Sequence, residues 1–314
     1  MRVLMSRGNP AIATVFVGKM RGKLVEFVES RQPPIPWDRK WVLILSVSFG
    51  CPVRCAICDA GGSFAGHLSA EEMLAQVEYL VARRFPERRV PVDHFKIQFA
   101  RMGEPALNDD VLRAMGLIRE RLSAPGLMFC VSTIAPAGRE PFFEELARVK
   151  DRLAGRFQLQ FSVHSTDEQE RDRLMPARKW SLDRIAAYGR DFWNHGDRKI
   201  TLNFALHRRF EVSSVRLARL FDPARFLVKL TPVNPTDSAG AARIDTAFES
   251  DPDERTSALI EELRGEGFDV LLSAGELEEN RIGSNCGQLV ARLSKTTAAI
   301  VQRSYGGAYS LDTI

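Results

Sequence analysis

Long hydrophobic runs, strong net charge and sulfur pairing are all missing from this chain of 314 residues. No apolar stretch approaches the roughly eighteen residues that a membrane-spanning helix needs. The N-terminus, MRVLMSRGNPAIATVFVG, lacks the charged-then-apolar pattern and small-residue cleavage site of a secretory signal. A cytoplasmic protein without membrane contact is the expectation. Five cysteines are too few for the dense disulfide framework of a small secreted domain, and free thiols suit a reducing compartment. The balance of 44 basic against 40 acidic residues leaves a formal charge of only +4. Proteins that hold a large RNA by phosphate neutralisation usually carry a stronger basic bias, so an RNA partner is permitted but not favoured. Arg83-Arg84, Arg88-Arg89 and Arg208-Arg209 read as solvated faces. No internal repeat or low-complexity tract is present.

What the chain does contain is alternation. Residues 13–18 and 23–29 read as two strands around Lys19–Gly22, a hairpin signal, and Pro33, Pro34 and Pro36 mark a boundary near residue 37. Beyond it, apolar runs at 42–48, 94–99, 127–133, 157–163, 199–206 and 226–231 alternate with helix-period segments. The first helix opens on Ser69 with Glu72 three positions later, a capping box. Others fall near 109–122, 139–153, 181–194, 213–221 and 253–266. Six strands, each followed by a helix, predict an α/β fold with a parallel, barrel-like (β/α)6 sheet. The expected organisation is an N-terminal hairpin extension over 1–37, a core barrel over 38–292 and a tail over 293–314.

Three of the five cysteines fall within eight positions, Cys51, Cys55 and Cys58 in SFGCPVRCAICDAGG. The array is one ligand short of the four that a structural zinc or a closed iron–sulfur cluster uses, and no fourth cysteine lies nearby. A [4Fe–4S] cluster on three thiolates leaves one iron open to a substrate or cofactor. Two plainer readings compete: a zinc site completed by a distant His or Cys, and three buried thiols that happen to be neighbours. His67, the nearest histidine, is not at finger-like spacing from a second one, which weakens the zinc reading.

The other polar candidates fall at predicted C-terminal strand ends, where barrel enzymes carry their chemistry. Gly103-Glu104-Pro105 follows the second core strand; glycine admits close backbone approach, and the carboxylate can pair with an ammonium. Ser132 and Thr133 end the third, Ser162, Val163 and His164 the fourth, Asn203 lies late in the fifth, and Asn234 follows the sixth in TPVNP. A turn or capping role is the plain alternative for each, and a satisfied core histidine for His164. Cys286 lies in a Gly/Ser/Asn loop, a reachable setting, whereas Cys130 between Phe129 and Val131 reads as structural.

The cysteine spacing resembles that of the radical SAM superfamily, in which the open iron chelates S-adenosylmethionine and an electron from the cluster yields a 5′-deoxyadenosyl radical. In such proteins the segment matching Gly103-Glu104 binds the SAM amino group, and Ser132, Ser162, Val163, His164 and Asn234 would supply ribose and carboxylate contacts. The ordered set CPVRCAIC, MGEPALN, VST, SVH with RDRLMP, TPVNP and NCGQL over residues 44–290 is similar to the radical SAM adenine methyltransferases acting on carbon 2 or carbon 8 of adenine in ribosomal and transfer RNA. That resemblance implies that Cys286 receives a methyl group from one SAM, that the radical from a second takes a hydrogen from it, and that the methylene radical adds to the aromatic carbon. Glu26 lies where the family carries a glutamate thought to act as a base; an exposed strand glutamate is the alternative.

Two departures from the family accompany the match. The family's adduct-resolving cysteine, seven positions before the first cluster ligand, is replaced by Ile44, and only about forty residues precede the barrel, where the family carries an RNA-recruiting domain. The expectation is therefore methyl transfer through Cys286 to an sp2 carbon of a small-molecule or nucleotide-like substrate, with an electron donor such as flavodoxin or ferredoxin. The alternatives are hydrogen-atom donation by Cys286 in an epimerisation or rearrangement, adenine methylation of RNA, and a non-enzymatic metal-binding RNA adaptor.

Overall fold

The computed structural model describes residues 1–275, 277–284 and 289–293. Among these, ten strands form one sheet whose spatial order follows the chain. The first four are β1 (Arg2–Asn9), β2 (Ala13–Met20), β3 (Lys23–Ser30) and β4 (Lys40–Leu45), paired antiparallel in sequence. From β4 the pairing turns parallel, through β5 (His94–Phe99), β6 (Leu127–Thr133), β7 (Phe157–Ser162), β8 (Ile200–Leu206), β9 (Phe226–Pro232) and β10 (Asp269–Leu272). The protein is thus an α/β fold built on a partial barrel, as the alternating pattern predicts.

The crossovers carry α1 (Ala70–Arg84), α2 (Asp110–Arg121), α3 (Glu140–Asp151), α4 (Glu168–Leu174), α5 (Leu182–Phe192), α6 (Ser214–Leu220), α7 (Asp237–Ala241) and α8 (Glu254–Gly265), with α9 (Leu277–Ile282) after β10. The capping box at α1 is present on both sides: Glu72 N–H donates to Ser69 Oγ (3.2 Å) and Ser69 N–H to Glu72 Oε2 (2.9 Å). This satisfies amide donors that the first helical turn leaves without intrahelical partners.

Sheet alternation separates two environments. Trp41, Leu43 and Leu45 of β4, Phe95, Ile97 and Phe99 of β5, and Phe129 and Val131 of β6 are buried in the main core, under the helices. Each such side chain contributes about 1.5–3 kcal/mol by leaving water. The alternate residues face the barrel interior. Trp41 Nε1–H donates to Glu29 Oε1 (2.8 Å), so the indole polar atom is satisfied inside that core.

Several details differ from the sequence expectation. β1 was not anticipated, because its residues are almost wholly exposed and show no alternation. The first core strand stops at Leu45, three residues early, because Ser46 to Ser48 turn out to hold the neighbouring loops: Ser46 Oγ accepts from Met102 N–H (3.1 Å), and Ser48 Oγ donates to Gly50 O (2.6 Å). β10, α4, α7 and α9 are also not anticipated; all are short, four, seven, five and six residues, below the window over which periodicity is readable.

Candidate functional site

The loop after β4 brings Cys51, Cys55 and Cys58 together as free thiols. Burial pushes the Cys51 thiol up to about 12 and raises Cys55 and Cys58 as well. For Cys55 the next causes are Cys58 and Cys51, so the three groups lie within electrostatic reach of one another. Three thiolates crowded in a buried loop need compensating positive charge, which a bound metal group supplies. Among the described residues no three His, Cys, Asp or Glu converge on the point a single ion would occupy.

Two neighbouring segments hold this loop. Asp59 Oδ1 accepts from Ser238 N–H (2.8 Å) and Ser238 Oγ (2.8 Å), and Thr236 Oγ1 donates to Ile57 O (3.1 Å). These bonds fasten the cysteine loop to the segment after β9, which includes Asn234. From the other side, Val47 and Ser48 N–H both donate to Met102 O (2.8 and 3.1 Å). Gly103 then passes so close that a Cβ would lie 1.9 Å from Ser48 Oγ, at a φ of +100°. Only glycine fits there without displacement.

Glu104 is buried and fully engaged. Ala106 N–H and Thr133 Oγ1 donate to its Oε1, and Ile134 N–H to its Oε2, with both amide bonds at 3.0 Å. Burial nevertheless raises its carboxyl to about 7, against the opposing pull of the Thr133, Ile134 and Ala106 hydrogen bonds. His164 is also buried: Ala205 N–H donates to its Nδ1 (3.0 Å) and burial lowers it to about 4. A neutral, backbone-engaged imidazole is the plainer of its two sequence readings. His164 and Val163 N–H both donate to Asn203 O (3.2 and 2.9 Å). Ser132 and Ser162 are half-buried at the interior strand ends, and Ser132 Oγ accepts from Gln98 Nε2 (3.3 Å).

Glu26 requires a correction. It is not an exposed strand glutamate but is wholly buried, because strand alternation turns it inward with Val28, the register partner of Ile44. It forms a 2.6 Å ion pair with Arg101, whose side chain is 1% exposed. Arg101 Nη2 also donates to Gly283 O (2.6 Å), and Nη1 donates to Ser284 O. Glu26 Oε2 accepts from Val290 N–H (3.0 Å). One buried ion pair therefore binds the chain at Gly283 and Ser284 and again at Val290. Cys286 lies outside the described residues, as do residues 294–314 of the tail. The residues on either side of it, Ile282, Leu289 and Val290, pack in one apolar cluster with Ala60 and Met102, against which Cys51, Cys58 and Ile44 also lie.

No protein-family model matches the chain. A probable dual-specificity RNA methyltransferase RlmN of Desulfitobacterium hafniense strain Y51 is 32% identical over 265 residues, 82% of this chain and 69% of the relative. Another of the same description, from Deinococcus deserti, is 30% identical over 260 residues, 81% and 71% of the two chains. The chain belongs to the RlmN family of radical SAM methyltransferases. A crystal structure of a radical SAM methyltransferase from Sphaerobacter thermophilus agrees, with a TM-score of 0.70 at 25% identity over 92% of this chain and 81% of that one.

RlmN-family membership makes the chain an enzyme of the radical SAM methyltransferase kind and implies a [4Fe–4S] cluster and S-adenosylmethionine as cofactors. The donor set fits: three clustered thiols, no disulfide among them, and a glycine cradle beside them. Among the described residues no helix is long and apolar enough to cross a membrane. The sequence reading missed Arg101 and Asn108, although both stand inside or beside the quoted MGEPALN motif. Asn108 Nδ2 donates to Val47 O and Leu68 O (both 2.8 Å), clamping the two ends of the cysteine-bearing segment. A polar residue inside a motif was the available signal.

Proposed function

We propose that this chain cleaves S-adenosylmethionine reductively and transfers a methyl group through Cys286 to an sp2 carbon of a small-molecule or nucleotide-like substrate other than ribosomal RNA. Cys51, Cys55 and Cys58 hold the [4Fe–4S] cluster, and Gly103, Glu104, Ser132, Ser162, Val163, His164 and Asn234 surround SAM. When bound, the cluster supplies the electron that breaks the sulfonium bond to give a 5′-deoxyadenosyl radical. An electron donor of the flavodoxin or ferredoxin type delivers it.

The remaining roles belong to the protein. Gly103 lets the backbone come against the cofactor pocket. Glu104 offers a carboxylate to an ammonium, and a cation there would favour the ionised form that burial alone disfavours. His164, kept neutral, is a hydrogen-bonding group rather than a charge. Glu26, with Arg101, holds the segments before and after Cys286 beside the cysteine loop. That joint packing of Ile282, Leu289 and Val290 with Cys51 and Cys58 is the observation that carries the reading.

Ile44 favours a second reading. It packs in the same cluster, at the place where the family resemblance puts a resolving cysteine, and an alkyl side chain neither gives nor takes a proton. In that reading Cys286 donates a hydrogen atom and no methyl is transferred. Peptide mass spectrometry separates the two. A Cys286 peptide heavier by one methylene unit supports methyl transfer; an unmodified Cys286 whose replacement by Ala abolishes turnover supports hydrogen donation. Anaerobic reconstitution with SAM and dithionite should yield 5′-deoxyadenosine, and Cys55→Ala should abolish it. Absence of that product from the wild-type chain would overturn both readings and leave an RNA adaptor.

A further inference from the structure

Barrel interiors are usually filled with bulky branched side chains, and this one is not. Register pairs place Lys96 beside Val42 and Met128, Cys130 beside Gln158, Thr201 beside Gln160, and Asn203 beside Lys229, all on the interior face with Ser132 and Ser162. Lys40, two residues before Val42, shares that face. Lys40, Lys96, Gln158, Gln160 and Lys229 are each only partly buried, so the interior keeps some contact with solvent.

The lysines converge. β5 and β9 are separated by three strands in the sheet, yet the charges of Lys96 and Lys40 both act on Lys229. They reach it across the barrel interior. Among the described residues, neither the Lys40 nor the Lys229 ammonium makes a hydrogen bond or ion pair, and Lys96 Nζ has one neutral partner, Gln158 Oε1 (3.0 Å). Among the described residues Glu279 is the carboxylate whose charge favours the Lys229 ammonium, and Asp269, on the same sheet face, is tied to Lys199 (2.6 Å). Desolvation, then Lys96, then Arg198 lower the Lys40 ammonium; desolvation, then Lys96, lower Lys229. Like charges drawn together away from water carry a cost that an anion removes. Lysine is also a common phosphate partner, acting as a point charge.

Asn203 adds a second, independent observation. It is 9% exposed and its Oδ1 has no hydrogen-bond partner among the described residues. A buried acceptor left unpaired bears the desolvation penalty of its lost hydrogen bonds, and a bare phosphate dianion has no hydrogen to give it. A ligand that carries hydroxyl or amine donors next to its phosphate satisfies both features.

We propose that the barrel interior is a phosphate-binding chamber in which Lys40, Lys96 and Lys229 face the phosphate of a small organic ligand and Asn203 accepts a hydrogen bond from the rest of it. This deepens the proposed function by naming the substrate class, a phosphorylated small molecule, and rests on that reading for the term substrate. Binding itself does not depend on it.

Isothermal titration calorimetry tests the site on the anaerobically reconstituted full chain, without SAM or reductant. Two probe pairs are used: adenosine 5′-monophosphate against adenosine, and ribose 5-phosphate against ribose. Each phosphorylated probe should bind at least about tenfold more tightly than its parent, and inorganic phosphate should compete. Combined Lys96→Gln and Lys229→Gln should remove that tenfold preference, while Lys229→Arg, which keeps the charge, should retain most of it. Asn203→Leu should weaken ribose 5-phosphate more than inorganic phosphate. Equal binding of phosphorylated and parent probes, failure of phosphate to compete, or an undiminished preference in the folded double variant would overturn the proposal. Because no SAM cleavage is read, a chain that binds these probes but forms no 5′-deoxyadenosine keeps the chamber and loses the proposed reaction.

Discussion

The barrel interior handles buried charge in two opposite ways. Around the cysteine loop the supporting charged and polar groups have protein partners: Glu26 meets Arg101 at 2.6 Å, Glu104 accepts three hydrogen bonds, and His164 accepts a bond from a backbone amide. Deeper among the strands, Lys40 and Lys229 have no such partners among the described residues. Charge saturated by protein partners can build a support from the chain alone. Unsaturated charge of one sign is poor architecture unless a ligand completes it.

The sharpest way to break that comparison is to unpair the saturated side. Arg101→Met leaves the Glu26 carboxylate buried without its cation and frees the carbonyls of Gly283 and Ser284. The expected loss is about 3–5 kcal/mol in a urea unfolding experiment. Glu26→Leu combined with Arg101→Met should lose much less than the two single changes summed, since matched apolar side chains leave no orphaned charge. Additive single effects would show that the pair is not one unit.

Next in size is Gly103→Ala. The left-handed backbone and the 1.9 Å approach of a Cβ to Ser48 Oγ together should cost about 2–4 kcal/mol. Adding Ser48→Gly should recover the larger part of the steric cost and leave the backbone strain and the 2.8 Å approach to Val47 Cγ2. No recovery would mean that Ser48 is not the obstacle.

How much of this was legible in the sequence depends on the range of each interaction. Cys51, Cys55 and Cys58 announce themselves because a ligand loop is local, and Ser69 and Glu72 because a cap spans one turn. The pairing of Glu26 with Arg101 joins residues on different strands and could not be read without the register that turns Glu26 inward. Likewise a lone lysine in a strand such as FLVKLTP looks like the exposed half of an alternation. The parallel barrel reverses that meaning, since its covered face is the helix side and its second face is the interior. His164 was legible only as a choice between two roles, and the Ala205 amide gives its Nδ1 a partner.

The third prediction concerns pH and follows from two opposed shifts. His164 is lowered to about 4 from 6.5, so its stabilising effect is complete above 6.5 and is lost as pH falls toward 4, to a limit of about 3 kcal/mol. Glu104 is raised to about 7 from 4.5, so its effect is present below 4.5 and is lost as pH rises toward 7. Between 4.5 and 6.5 the two slopes oppose. His164→Gln should remove the acid-side loss, so that the variant's urea midpoint declines less than the wild type's between pH 6.5 and 5. Parallel curves would mean that His164 is not buried as a neutral base.

The smallest effect tests the unsaturated side. In phosphate-free buffer, Lys229→Gln removes an ammonium that burial and Lys96 disfavour, so the variant should be slightly more stable than the wild type. Adding ribose 5-phosphate should reverse the order, because a ligand that binds only the folded state stabilises by an amount set by its concentration over its dissociation constant. The wild type then gains and the variant does not. A Lys229→Gln change that destabilises the chain in both buffers would assign this lysine to the support, and the contrast between the two regions would disappear.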